Sequence, residues 1–241
     1  MTPQSRNHVL SAVALILALF VFSMPAAAGR MTSRTSQPTD ILSPTERELV
    51  AEINLLRADP PKYAMYLEQM KKYYKGKDYK PPGETMSLIT IEGVSAVDEA
   101  IAALRAQKPL APYTMSPGMC SAAKDHAKDM GRSGNSGHRG TDGSTVETRV
   151  SRYGTFSNGI GENIFYESTG AREAVMGWLV DDGVANRGHR RNLLSANYRY
   201  LGVAVGEKSD AGSMCVLTFA GDFVESKAGT ATNKTKPVKK M

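Results

Sequence analysis

The chain has 241 residues, 41% of them hydrophobic and 22% charged, which is the make-up of one globular domain with appendages. Its net charge of +6 does not describe a basic fold, because Arg6 and the five lysines Lys227, Lys234, Lys236, Lys239 and Lys240 account for the whole excess, leaving 24 basic and 24 acidic residues in 29–225. That neutral balance argues against a nucleic-acid partner, which would need a basic patch on the folded part.

Residues 1–28 read as a secretory signal peptide: Arg6, then an apolar run over 10–24, then Pro25-Ala26-Ala27-Ala28 as a cleavage site. The run is about 15 residues, short of the roughly 20 that a spanning helix needs, so no transmembrane segment is expected in the mature chain and the protein is expected to be secreted or periplasmic. Residues 29–43, rich in Ser, Thr, Arg and Gln, read as a disordered linker, and 226–241 as a basic disordered tail.

The folded domain is expected over 44–225. Ser43-Pro44 with Glu46 predicts a capped helix start, and Leu49, Val50, Ile53 and Leu56 repeat at helical spacing. Asp59-Pro60 ends that helix and starts another, with Tyr63, Ala64 and Leu67 inward. Residues 71–93 are polar and read as an exposed loop. A helix over 96–107 follows, capped by Ser95 with Asp98 and Glu99, and carrying Val97, Ala100, Ile101 and Leu104 on its inner face. Ser116-Pro117 caps a helix over 117–131. On it, His126 reads first as a packed, hydrogen-bonded histidine and only second as a ligand or catalyst.

Residues 131–145 have loop chemistry and contain His138. A short helix fits 145–153, a strand 159–166, and an amphipathic helix 171–182 with Ala174, Val175, Trp178 and Leu179 buried; its helical phase makes Trp178 a core residue. Gly183 ends that helix, His189 sits in a short loop, and strands at 200–205 and 214–219 close the domain. Helices first, then a small sheet interleaved with a helix, make a mixed α/β layer architecture rather than a doubly wound parallel one.

The polar residues with chemical potential lie in three glycine-flanked stretches: Gly137-His138-Arg139-Gly140-Thr141-Asp142-Gly143, Gly161-Glu162-Asn163-Ile164 and Gly188-His189-Arg190-Arg191-Asn192-Leu193-Leu194. Two histidines with one or two carboxylates are a candidate site for a divalent metal or for proton transfer with a carboxylate-held histidine. The competing reading is structural: Glu162 and Asn163 bond loop amides, and the histidines pack the loops together. No His-Glu-x-x-His helix, Gly-x-Ser-x-Gly elbow or phosphate-binding Gly-x-x-x-x-Gly-Lys loop occurs. Ser136 and Ser144 lie near His138 in plain loop contexts. Cys120 and Cys215 read either as a disulfide, worth about 4 kcal/mol in the loop-entropy account, or as two buried thiols.

The run from Ser43-Pro44 to Phe223 resembles the CAP superfamily in its bacterial SCP/PR1-like form. The resemblance rests on residues 52–57 with Asp59-Pro60, residues 122–130, His138 with Thr141-Asp142-Gly143 and Arg149, Gly161-Glu162-Asn163-Ile164, Trp178, and 188–194 followed by Leu201-Gly202-Val203. It implies an α-β-α sandwich with a small, mostly antiparallel sheet between helices and an open cleft. It also implies a cleft tetrad of two His and two acids. His138, Glu162 and His189 match three positions; the fourth is usually Glu, and here Asp181 is the best match and Asp182 the next. The resemblance further implies secretion, a metal held by His138 and His189 (zinc or another divalent cation), and binding of sterols, other lipids or cell-envelope components. Residues 71–110 are then an insertion with an extra helix, placed to wall or lid the cleft. The expected function is a non-enzymatic or weakly enzymatic cleft protein binding a small apolar or envelope-derived ligand. The alternatives are a metal-assisted, peptidase-like hydrolase with Glu162 as candidate base, and a non-catalytic interaction module.

Overall fold

The computed structural model describes residues 41–166, 170–208 and 212–226. The expected signal peptide, nearly all of the linker and nearly all of the basic tail lie outside the described residues.

Helix α1 (Pro44–Ala58) starts as its sequence dictates. The Ser43 hydroxyl accepts the Glu46 N–H at 3.2 Å and the Glu46 carboxylate accepts the Ser43 N–H at 2.8 Å, which satisfies two otherwise orphan donors. Asp59 then caps α2 (Pro60–Lys71). The stretch expected to be a loop forms instead a miniature antiparallel sheet of β1 (Tyr74–Lys75), β2 (Asp78–Tyr79) and β3 (Leu88–Ile89). Gly76, at φ 65°, makes the tight turn between the first two strands, and the Tyr74 and Tyr79 rings stack at 4.7 Å.

Helix α3 (Val94–Ala106) begins earlier than expected. Its cap is Gly93, not Ser95, whose hydroxyl donates to the Glu92 carbonyl. Gly93 sits at φ 69°, and a Cβ there would meet the Gly76 carbonyl oxygen at 2.6 Å, so only glycine allows the helix to start against the β1–β2 turn.

Strand β4 (Thr114–Met115) leads into α4 (Pro117–Ser133), capped by Ser116, and α5 (Val146–Val150), capped by Thr145. Strand β5 (Gly154–Tyr166) is longer than expected. It continues through an irregularity at Asn158 and Gly159, both at positive φ. Helix α6 (Ala171–Val180) ends two residues early because Asp181 turns left-handed at φ 54°. His189 lies in a short helix, α7 (Gly188–Leu193), rather than a loop. Strands β6 (Tyr200–Lys208) and β7 (Gly212–Glu225) outrun their expected spans.

The main sheet has the order β4-β6-β7-β5, with β4 parallel to β6 and the other pairs antiparallel. Alternation along β7 splits the core. Leu217 and Phe219 join residues of α1, α2, α3 and α6 on one face, and Met214 and Val216 join Ala123, Ala127 and Met130 of α4 on the other. This is the α-β-α sandwich. Helix α4 lies so close to β6 that a Cβ on Gly202 would come within 2.2 Å of the Met119 backbone.

Cys120 and Cys215 are both buried and are not bonded to each other, which overturns the disulfide. Both side chains belong to the larger core cluster, and there the Cys120 sulfur takes the Val203 N–H at 3.4 Å rather than a second sulfur. Burial pushes the Cys120 thiol up to about 11, partly offset by that N–H, so it behaves as a small core hydrophobe.

Candidate functional site

The site is built on β5, an edge strand, and on the segments flanking it. Successive strand residues point to opposite faces, so Glu162 and Asn163 address different partners. Glu162 Oε1 accepts from His138 Nδ1 at 2.9 Å, and Oε2 accepts from the Arg149 guanidinium at 2.6 Å. Asn163 turns to α7, where its amide donates to the His189 carbonyl at 3.0 Å and its oxygen accepts from Asn192 at 2.8 Å. Glu162 therefore pairs with a histidine and a guanidinium, not with the loop amides of the structural reading.

Arg149 holds the 138 loop in place. Both it and Glu162 have side chains only 2% exposed, so each charge needs the other. Its other terminal nitrogen donates to the His138 carbonyl at 3.2 Å and the Ser144 carbonyl at 3.1 Å. The Asp129 carboxylate accepts the Thr141 N–H and hydroxyl, and Asp142 accepts the Ser144 N–H. The turn residues of 137–145 thus find their partners on α4, α5 and within the loop itself.

His126 belongs to this cluster. It is fully buried, its Nε2 donates to the Gly137 carbonyl at 2.9 Å and lies 4.0 Å from Glu162 Oε1. A carbonyl only accepts, so the proton sits on Nε2 and the buried Nδ1 has no partner among the described residues. Burial lowers the His126 pKa, against the pull of Glu162.

Asp181 takes the fourth corner. Its Oδ1 accepts from His189 Nδ1 at 2.6 Å, and its Oδ2 accepts the His189 N–H at 2.9 Å. The second contact serves the N-terminus of α7, which has no side-chain cap of its own. Asp182 does other work: it receives the N–H groups of Ile91 and Glu92 at 2.6 and 2.8 Å and ties segment 71–110 to the end of α6.

His138 and His189 lie with ring centroids 6.4 Å apart and planes at 29°. Each gives Nδ1–H to a carboxylate, so each neutral ring keeps a lone pair on Nε2, which has no hydrogen-bond partner among the described residues. Ser144 offers no nucleophile here, since its hydroxyl lies against Arg149.

A cavity of about 440 Å³ runs from His189 and Asp181 between α6 and the miniature sheet. Met176, Trp178 and Phe165 line one wall, and Tyr74, Tyr79 and Leu88 line the other. Tyr74, Tyr79, Leu88, Ile89, Thr90 and Ile91, all within segment 71–110, are among its lining residues. Arg149 and His126 were both visible in the sequence but carried no assigned site role. A buried glutamate requires a cation nearby, and an arginine beside apolar Val150 on a short helix was the available signal.

The layered fold, with a His–acid pair contributed from each side of an edge strand, defines a class of cleft domain. The sequence profile of the Cysteine-rich secretory protein family (CAP) matches residues 99–220, and the chain belongs to this family. Among solved structures the chain is similar to an outer surface protein from Borrelia burgdorferi (18% identity, 53% of this chain and 89% of that one, TM-score 0.40). It is also similar to an extracellular protein containing an SCP domain from Bacillus anthracis (24% identity, 53% of this chain and 39% of that one, TM-score 0.37). No curated protein matches it.

Proposed function

We propose that this CAP domain acts outside the cytoplasm as a binding protein for a small apolar or amphiphilic molecule of the cell envelope. In this reading the apolar part enters the cavity beside α6 and the polar end lies at His189 and His138. The cavity carries the proposal: it is mostly apolar, of a size suited to a small molecule, and has a few polar groups converging at one end. The signal-peptide pattern over 1–28 supports an extracellular or periplasmic setting.

The same residues suit a divalent cation, zinc foremost. His138 and His189 would supply Nε2, and Glu162 and Asp181 already bond the opposite ring nitrogens, the arrangement that orients metal-binding imidazoles. No group of three His, Cys, Asp or Glu placed to hold a metal occurs among the described residues, so the chain offers two donors and leaves the rest to ligand or water. A bound cation would act as a Lewis acid on a ligand oxygen. Hydrolysis with Glu162 as base has less support, because both of its oxygens are taken by Arg149 and His138.

Native mass spectrometry of the protein isolated from its own secretory route tests the binding reading. A retained small-molecule mass is expected, and Met176→Trp, which fills the cavity, should remove it. A clean apo mass in the native protein overturns the reading. For the cation, zinc calorimetry should lose its signal in the His138→Ala, His189→Ala double variant; unchanged affinity sinks the assignment.

A further inference from the structure

Segment 71–91 has a composition unlike the rest of the fold. It holds Lys71, Lys72, Lys75, Lys77 and Lys80 against only Asp78 and Glu84. Lys71 pairs with Asp98 at 2.6 Å, but Lys72, Lys75, Lys77 and Lys80 are exposed and have no carboxylate within ion-pair reach among the described residues. Five of the eight exposed large hydrophobic side chains of the described residues fall in the same stretch: Tyr73, Met86, Leu88, Ile89 and Ile91, four of them more than 60% exposed. Aliphatic groups held out to water are costly, and here they concentrate beside cations that no acid neutralises.

The register of the miniature sheet separates its two faces. Tyr74, Tyr79 and Leu88 are cross-strand neighbours on one face and Lys75, Asp78 and Ile89 on the other; Ile89 and Ile91 also touch the cavity at its rim but stay more than 60% exposed. The segment is tied down at its far end, where the Asp182 carboxylate binds the Ile91 and Glu92 amides and Arg187 pairs with Glu92. It is a small, anchored element that presents lysines and aliphatic side chains together.

We propose that this miniature sheet is a docking surface for an anionic lipid bilayer, with Lys72, Lys75, Lys77 and Lys80 at the headgroups and Met86, Ile89 and Ile91 entering the interface. Charge complementarity selects the partner, because lysines interleaved with exposed aliphatics match a negatively charged surface with an apolar interior. The proposal does not rest on the cavity's ligand, and its test reads vesicles rather than a bound small molecule.

The first 28 residues would themselves enter lipid, so the test uses the chain from residue 29, whose core draws on residues from Leu42 onward. It is sedimented with vesicles of phosphatidylcholine alone or mixed with phosphatidylserine. Binding to the mixed vesicles, weakened by salt, is expected. Lys75→Gln with Lys77→Gln and Lys80→Gln should weaken it about a hundredfold, at about fivefold per lysine near an anionic surface. Met86→Ser should cost roughly tenfold more. All four positions are exposed, and unchanged melting temperatures show that the variants fold.

Absence of binding to the mixed vesicles overturns the proposal. So does equal binding to the neutral ones. Loss on substituting Lys234, Lys236, Lys239 and Lys240, with no effect of the three sheet substitutions, assigns attraction to the tail and also overturns it. Capture of a protein partner through Met86 without vesicle binding would give the surface to that partner instead.

Discussion

Asp181 grips His189 by two atoms at once, the ring Nδ1 at 2.6 Å and the backbone N–H at 2.9 Å, from a left-handed position at the end of α6. Asp181 thereby ends α6 with its backbone, while its carboxylate serves the start of α7 and sets the tautomer of His189. Asn tolerates the left-handed backbone but offers one acceptor atom instead of two. Asp181→Asn is expected to keep the fold and to lower zinc affinity roughly 10–100-fold, the usual effect of losing an orienting partner. Calorimetry on variant and parent measures this.

The Arg149–Glu162 pair should show the asymmetry of buried charges. Removing the guanidinium in Arg149→Met leaves a carboxylate stranded in the interior and is expected to cost about 3–5 kcal/mol in urea unfolding. The double variant Arg149→Met, Glu162→Gln should cost clearly less than the two single changes added together, because neither partner is then left charged and alone. Additive losses would contradict the pairing.

Acid should loosen the anchor of segment 71–93. The Arg187 guanidinium, and then the Gly183 N–H, hold the Glu92 carboxyl down at about 2. A lowered carboxylate gives its full contribution above its ordinary value, 4.5, and loses it as pH falls through about 2. Amide exchange at Gly183 should therefore be faster in Glu92→Gln than in the parent at pH 6, and the difference should shrink between pH 4.5 and 2. A difference undiminished at pH 2 would rule out this linkage.

Both thiols should be silent in the native protein. Cys120, with its ionisation pushed up to about 11 by burial, presents almost no thiolate at pH 8, and Cys215 is buried. A thiol reagent should label neither cysteine natively and both in denaturant without any reductant. Failure to label in denaturant would restore the disulfide.

Much of the frame was legible in the sequence because it is local chemistry. Ser43, Asp59 and Ser116 each stand before a proline and cap the helix that the proline opens, and the spacing of Val97, Ala100, Ile101 and Leu104 fixes the buried face of α3. Residues 71–93 were misread because strands of two residues carry no periodicity. Their pairing depends on the Gly76 turn and on contact between Tyr74 and Tyr79.

By itself the sequence determined the starts of α1, α2 and α4, the buried stripes, the family and three members of the polar cluster, since each depends on neighbours along the chain or on a motif of fixed spacing. Only the tertiary structure decided among partners. It gave His189 to Asp181 and not to Asp182, gave Glu162 to Arg149 as well as to His138, and kept Cys120 from Cys215. The first follows from the left-handed turn of Asp181 at the end of α6, and the second from which face of β5 a side chain leaves and which loop meets it there. A one-residue shift along β5, from Glu162 to Asn163, is enough to exchange α5 for α7.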